Sequence, residues 1–175
     1  MKQTEKLDSL KKRLKIKFNS LAEPMNQVDY TRENYDKLFP DSKVLTPIGE
    51  VNLGGHQFEK LEKEKRQKYL GAMYQTLIDP IAIINEDDNG KKAQLFSKSF
   101  KNYSKKLEGV ISVIVDIAGK KVSISTHPRN INNIINKIKK AADLVYEKPD
   151  RDRTAENDSK NLVISDDTQL FNNIP

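Results

Sequence analysis

The sequence predicts an α+β fold with N-terminal helices, a four-stranded antiparallel sheet arranged as a meander, and a C-terminal helix packed on one face of that sheet. Two observations support this prediction. Apolar residues recur at helical spacing before Asp79 and after Pro128, whereas between these two residues they alternate with polar residues. Glycine-containing turns separate the alternating segments, as is typical of antiparallel hairpins.

The 175 residues divide into three predicted segments. Residues 1–44 form a basic helical N-terminal extension, because leucines and a phenylalanine follow one another at helical spacing near its start. Residues 45–147 contain the alternating segments and form the α+β domain. Residues 148–175 form a mobile acidic and polar tail, in which 162–164 is either a short strand or a partner-binding peptide.

Two helices are predicted within the domain. The first covers roughly 56–78 and ends at Asp79-Pro80, because a proline disfavours the helical conformation in the residue before it. The second covers about 130–147, where isoleucines recur three and four residues apart. The lysines of this second helix fall on the opposite side, which therefore faces solvent.

The alternating segments predict four strands, at 81–85, 92–101, 110–117 and 122–127. A two-residue type II′ turn at Gly119-Lys120 joins the last two strands. This turn places Ser112 opposite His127 and produces one apolar face and one mainly polar face. The hydrophobic pattern independently requires the same register, which supports the hairpin.

Composition limits the function classes. The net charge of +6 and the isoelectric point near 9.3 favour an anionic partner, most often nucleic acid. The chain has no cysteine, which excludes disulfides and thiolate metal sites and is consistent with the cytoplasm. No apolar stretch reaches the roughly 18 residues of a membrane span, so no membrane partner is expected. The two histidines lie far apart in the sequence, and we expect neither a metal nor a cofactor.

The last strand provides the strongest candidate for catalysis. Ser123, Ser125 and His127 occupy alternate positions, so the sequence predicts that all three project to one side. An imidazole there can exchange protons near neutral pH, and the hydroxyls can hold phosphate oxygens. The alternative interpretation is a solvated strand face, where serine is common.

Cationic and aromatic residues supply further candidates. Arg66 is aligned with part of the apolar stripe of the first helix, so it requires a partner or a cleft. His56, just before that helix, is a second proton-transfer group, an anion ligand near the positive end of the helix, or simply a turn residue. Other candidates for phosphate or substrate contacts, each otherwise a surface or packing residue, are Lys60, Tyr69, Lys98, Ser99 and Lys101.

The order of elements resembles a known nuclease superfamily. The helical segment "HQFEKLEKEKRQKYLGAMYQTLIDPIAII" leads into strands that end in "VSISTH", as in the barnase–EndoU–colicin–RelE-like nucleases, particularly the phage and polymorphic-toxin branch. The resemblance covers roughly residues 45–147, which makes this domain nuclease-like. It implies a basic or histidine residue on the helix at His56 or Arg66, and an inner-strand residue at Lys98 or Ser99.

The resemblance also implies a hydroxyl and histidine pair at Ser125 and His127. Members of the superfamily are small metal-independent ribonucleases, many of them toxins that act on tRNA or mRNA, and they use the open face of the sheet. The present sequence lacks an obvious catalytic glutamate in its strands, which leaves the identity of the base open.

The expected function is therefore a metal-independent endoribonuclease of toxin or phage-effector type. The 2′-hydroxyl would attack the adjacent phosphate and leave a 2′,3′-cyclic end, with His127 as acid or base, Arg66 and Lys98 stabilising charge, and Ser125 orienting the phosphate. Expected partners are RNA and a cognate immunity or antitoxin protein, either in the cytoplasm or after delivery into a target cell. The alternatives are a non-catalytic nucleic-acid-binding or phage-assembly module and, ranked last, ADP-ribosyl transfer.

Overall fold

The computed structural model describes residues 2–102, 104, 106–141 and 143–150, and its central feature is one mixed, curled β-sheet. The helices are α1 (Lys2–Ser20), α2 (Arg32–Leu38), α3 (Gln57–Lys63), α4 (Leu70–Ile78) and α5 (Ile131–Ala141), with 3-10 turns at Pro40–Ser42 and Gln67–Tyr69. The strands are β1 (Lys43–Thr46), β2 (Gly49–Leu53), β3 (Ala82–Asp88), β4 (Lys91–Lys101), β5 (Leu107–Ile117), β6 (Lys120–Arg129) and β7 (Leu144–Glu147). No helix in the described ranges has the length and apolar character of a membrane span.

The sheet corrects the predicted four-stranded meander. Its order is β1-β2-β6-β5-β4-β3-β7, and every neighbouring pair is antiparallel except β2 and β6. The four predicted strands form the middle of this sheet, so the α+β class is correct but the four-stranded architecture is wrong. The sequence indicated only an irregular strand-and-turn passage at 44–57, because β1 and β2 are four and five residues long and flank a turn that contains Pro47.

Both predicted helices of the domain are shorter than expected. The 56–78 helix is interrupted after α3, where Lys65 has a φ of 56°, and the chain becomes helical again only in the 3-10 turn and α4. The 130–147 helix ends at Ala141, and β7 then pairs antiparallel with β3. Val145 and Tyr146 are residue types that fit a strand well, and the edge of β3 supplies their backbone partners.

Helices pack on both faces of the sheet, so the prediction of a single C-terminal helix on one face is also wrong. On one face α1 and α5 bury Leu14, Phe18, Ile134, Ile135 and Ile138 against β3, β4 and β5. On the other face α2, α3 and α4 bury a second core that includes Tyr35, Phe39, Leu61, Met73 and Phe96. Residues of the N-terminal 1–44 segment therefore contribute to both cores.

The hairpin between β5 and β6 differs in register from the prediction. Its turn residues are Ala118 and Gly119, both with positive φ (54° and 83°), as a type I′ turn requires. This turn alone would place His127 opposite Val110, and one extra residue in β6 moves it opposite Ile111 instead of the predicted Ser112. A register shift between Val113 and Ile114 shows that β6 contains a β-bulge.

Gly109 on β5 is expected to be essential for the packing of α5 against the sheet. A Cβ atom there would lie 2.4 Å from the backbone oxygen of Arg129 and 2.5 Å from Cδ1 of Ile134. We expect Gly109→Ala to lower the free energy of unfolding by about 1–3 kcal/mol in urea denaturation, because a backbone oxygen cannot move aside cheaply. Gly55→Ala is the matched control, because a Cβ atom at Gly55 meets no atom within 4 Å. Equal stability of the two variants would contradict this packing.

Candidate functional site

The outer edge of β6 is covered by a strand over only part of its length. β2 pairs with Val122 and Ser123 and then ends at Leu53. Beyond this point α3 and the turn after it lie along the edge. The Nζ atom of Lys60 donates to the backbone oxygen of Ile124 at 3.0 Å, and Nη1 of Arg66 donates to the backbone oxygen of Thr126 at 3.2 Å. Two predicted site residues therefore satisfy carbonyl groups that an open strand edge would leave unpaired.

The β-bulge divides the predicted polar face of β6. Ser125 and His127 lie opposite Val113 and Ile111, on the side of the sheet where α1 and α5 pack. Ser123 lies beyond the bulge on the other side, where it is fully buried and its hydroxyl has no hydrogen-bond partner among the described residues. The prediction that all three side chains project to one side is therefore wrong, because one extra residue in a strand reverses the alternation.

Arg129 lies on the same face of β6 as Ser125 and His127, the face on which Ser123 was predicted. It follows His127 by two residues in the same strand, so it lies on the same side of the sheet, opposite Gly109. Arg129 was not among the predicted site residues, although continuing the alternation of Ser125 and His127 by one step leads to it. We refer to Lys60, Arg66, Ser125, His127 and Arg129 as the β6-edge cluster.

His127 is the one titratable base in this cluster, and its surroundings favour the neutral imidazole. The side chain is half-buried and makes no hydrogen bond to any of the described residues. Burial, followed by the positive charges of Arg66 and Arg129, lowers the pKa of His127 below its ordinary value of 6.5. At neutral pH the imidazole therefore holds a free lone pair that can accept a proton.

The guanidinium of Arg66 is anchored at one nitrogen only. Nη1 lies 2.5 Å from Oε2 of Glu64 and also donates to the backbone of Thr126, the residue before His127. The other two nitrogens bond to no described residue, and 28% of the side chain is exposed. Glu64 was not predicted, because only the interruption of the helix at Lys65 turns it toward Arg66.

Lys98 does not join the β6-edge cluster. It lies on the face of the sheet covered by α4, opposite to the face of His127, and its side chain is fully buried. The Nζ atom donates to the backbone oxygen of Asp79 at 2.7 Å and lies 3.1 Å from Oδ2 of Asp79 and 3.2 Å from Oε1 of Glu23. The ammonium group of Lys98 therefore has its partners within the protein. Lys98 and Arg66 lie in different places, so the expectation that they share a cleft is wrong.

Ser99 and Tyr69 also bind other parts of the protein. The buried hydroxyl of Ser99 donates to the backbone oxygen of Phe18 at 2.5 Å, which holds the end of α1 on the sheet. The Tyr69 hydroxyl donates to the carboxylate of Glu108, and burial together with this bond raises the pKa of Tyr69. Ser99 lies on the same side of the sheet as His127, but its hydroxyl is occupied by α1, and Tyr69 packs against the other side.

The two remaining candidates are exposed. His56 precedes α3 and makes no capping hydrogen bond with its side chain, and Lys60 lies one turn further along the same helix. Lys101 is exposed at the end of β4, on a strand that is separated from β6 by β5. His56 therefore lies near the β6-edge cluster, whereas Lys101 does not.

A hollow of about 790 Å³ lies at the opposite end of the sheet and contains none of the predicted site residues. Its charged lining alternates in sign, with Lys92 opposite Asp87 and Lys121 opposite Asp116 on paired strands, and with Lys137 bonded to Glu86 at 2.8 Å. This balance of charge gives the hollow no preference for an anion. Its volume alone does not make it the functional site.

Comparison with known proteins gives no match: no family model, no curated protein and no solved structure matches the chain. Within the described ranges, no three histidine or acidic side chains come together in a way that could hold a metal ion. The chemistry that the β6-edge cluster can perform therefore has to be argued from its own groups. They comprise one neutral base, three cations and one hydroxyl.

Proposed function

We propose that the protein is a metal-independent endoribonuclease and that the β6-edge cluster is its active site. The observation that supports this proposal best is the placement of His127, half-buried and without a hydrogen bond to the described residues, directly after the carbonyl that Arg66 binds and two residues before Arg129 on the same face of β6. A base and fixed cations are the groups that internal cleavage of RNA requires, and the reaction needs no protein nucleophile.

In the proposed reaction His127 accepts the proton of the ribose 2′-hydroxyl. The 2′-oxygen forms a bond to the adjacent phosphorus as the bond from phosphorus to the 5′-oxygen breaks, and the departing 5′-oxygen takes a proton from solvent. Arg66 and Arg129 stabilise the negative charge that develops on the non-bridging phosphate oxygens, and the hydroxyl of Ser125 orients the phosphate. The products are a 2′,3′-cyclic phosphate and a free 5′-hydroxyl.

Lys98 has no place in this proposal, since its ammonium group is buried on the other face of the sheet. Lys60 contributes mainly by holding the bulged part of β6, with its charge as a secondary attraction for phosphate. The proposed site is therefore smaller than the set of residues that the sequence predicted.

The proposal is tested with a single-stranded RNA of mixed sequence incubated with the protein in excess EDTA. We expect cleavage products with 2′,3′-cyclic phosphate ends, and we expect the 2′-O-methylated RNA of the same sequence to remain intact because it lacks the attacking hydroxyl. Cleavage of the methylated RNA would show a different mechanism. Tight binding of both RNAs without cleavage of either would instead identify a non-catalytic RNA-binding module.

A further inference from the structure

The outer surface of α1 carries more positive charge than the β6-edge cluster requires. Five of the seven residues at positions 11–17 are lysine or arginine. Arg13 and Lys17 are accounted for, because both bond to Glu147 and so attach α1 to β7. Lys11, Lys12 and Lys15 have no carboxylate within 4.0 Å among the described side chains. None of the described carboxylates therefore neutralises these three charges.

The spacing of these lysines does not favour the helix itself. Lys11 and Lys15 lie four residues apart, so they are neighbours on the helix surface, and like charges at this spacing repel. Lys140 on the adjacent α5 adds a fourth cation without a described carboxylate partner. The packing of α5 beside α1, with Lys139 within 3.5 Å of Asp8, holds the two helices together. A cluster of cations without carboxylate partners among the described residues is typical of a surface that binds a polyanion.

The buried side of α1 decides between two polyanionic partners. A basic amphipathic helix binds a membrane by inserting its apolar face, but in α1 this face is occupied: Leu14 and Phe18 are fully buried in the core with α5. Ile16 is the one large apolar side chain of α1 that is strongly exposed among those described, at 69%. The surface therefore suits phosphates that can be bound from solvent, as in nucleic acid, better than it suits a lipid bilayer.

We propose that α1 and α5 form a phosphate-binding surface for the single-stranded RNA that flanks the cleavage site. The choice of RNA rests on the proposed function. α5 begins two residues after Arg129, and both helices lie on the face of the sheet from which His127 projects. The exposed amides of Asn132, Asn133 and Asn136 lie on α5 between that point and Lys140, where they can donate to phosphate and ribose oxygens. The surface therefore begins beside Arg129 of the β6-edge cluster.

The test measures binding of 2′-O-methylated single-stranded RNA over a series of salt concentrations, so that cleavage plays no part. For the triple variant Lys11→Gln, Lys12→Gln and Lys15→Gln we expect the slope of log K against log salt to decrease in magnitude by about 2, since each lost phosphate contact on a single strand removes about 0.7. At about 0.1 M salt this corresponds to a roughly 10²-fold loss of affinity.

The matched control is the triple variant Lys43→Gln, Lys91→Gln and Lys120→Gln, which removes the same net charge from exposed positions on the sheet. A control slope as shallow as that of the α1 variant would overturn the proposal, because the effect would then belong to net charge alone. The arginine triple variant at positions 11, 12 and 15 should retain the wild-type slope. Unchanged RNA binding by the glutamine variant, together with lost binding to phosphatidylserine vesicles, would assign the surface to a membrane and overturn the proposal.

The outcomes separate this proposal from the proposed function. If the wild-type protein cleaves RNA but its binding has the same salt slope as that of the glutamine variant, the proposed active site stands and the proposed α1–α5 surface is wrong. If the wild-type protein cleaves no RNA but the variant shows the expected decrease in salt slope, the proposed surface stands and the catalytic assignment is wrong.

Discussion

Replacement of His127 by glutamine is expected to lower the rate of RNA cleavage about 10²- to 10⁴-fold, the contribution typical of a positioned general base. Glutamine preserves approximate size and polarity but cannot accept the 2′-hydroxyl proton. Single-turnover cleavage in EDTA measures the effect, and the thermal midpoint of the variant shows that it still folds. Lys43→Ala, which removes an exposed cation from the edge strand β1, should leave the rate unchanged. A His127→Gln rate within threefold of wild type would exclude His127 as the base.

The pH profile gives an independent test of the same assignment. A base is active when neutral, so cleavage should increase with pH as His127 loses its proton. Because burial and the neighbouring arginines lower the pKa of His127, the midpoint of this rise in kcat/KM should lie below 6.5. The His127→Gln variant should lose this acidic limb. A midpoint above 6.5 would indicate a nearby negative charge that outweighs the arginines.

The second large effect concerns stability at the opposite face of the sheet. Replacing both Asp79 and Glu23 by alanine is expected to lower the free energy of unfolding by about 3–5 kcal/mol, because it leaves the ammonium group of Lys98 buried without a compensating charge. Urea denaturation measures the loss. The backbone oxygen of Asp79 would remain as an acceptor, but it provides no negative charge.

Adding Lys98→Met to the double variant identifies the cause of this loss. Methionine fills a similar volume without charge, so the triple variant should regain most of the lost stability. Lys98→Met alone should cost less than the double alanine change, because Asp79 and Glu23 are 39% and 41% exposed and water can solvate them. Further destabilisation of the double variant by Lys98→Met would show that shape at this position matters more than charge.

The elements that the sequence predicted well are those whose pattern is local. The isoleucines of α5 recur every three or four residues, and this spacing alone predicts a buried stripe. The alternation in β3, β4, β5 and β6 predicts strands for a similar reason. β7 could not be distinguished from a continued helix, because whether residues 144–147 form a strand depends on an unpaired edge that β3 provides from far away in the sequence.

The candidate site was predictable only in part. Arg66 and His127 were both chosen from the sequence, and the structure brings them to one strand edge. Ser123 was predicted on the wrong face, since nothing in the local pattern of β6 indicates that an extra residue is accommodated as a bulge. Lys98 was misjudged because burial of a lysine depends on carboxylates supplied by two other segments.

By itself, the sequence determined the α+β class, the four central strands, the main part of α5 and the histidine and arginine of the proposed site. Only the tertiary structure decided the seven-stranded order, the helices on both faces and the side of the sheet on which each polar residue of β6 lies. Periodicity is a property of neighbouring residues, whereas strand pairing, burial and ion pairing depend on segments that meet only after folding. The partners of Lys98 and the anchoring of Arg66 on β6 are both contacts of this second kind.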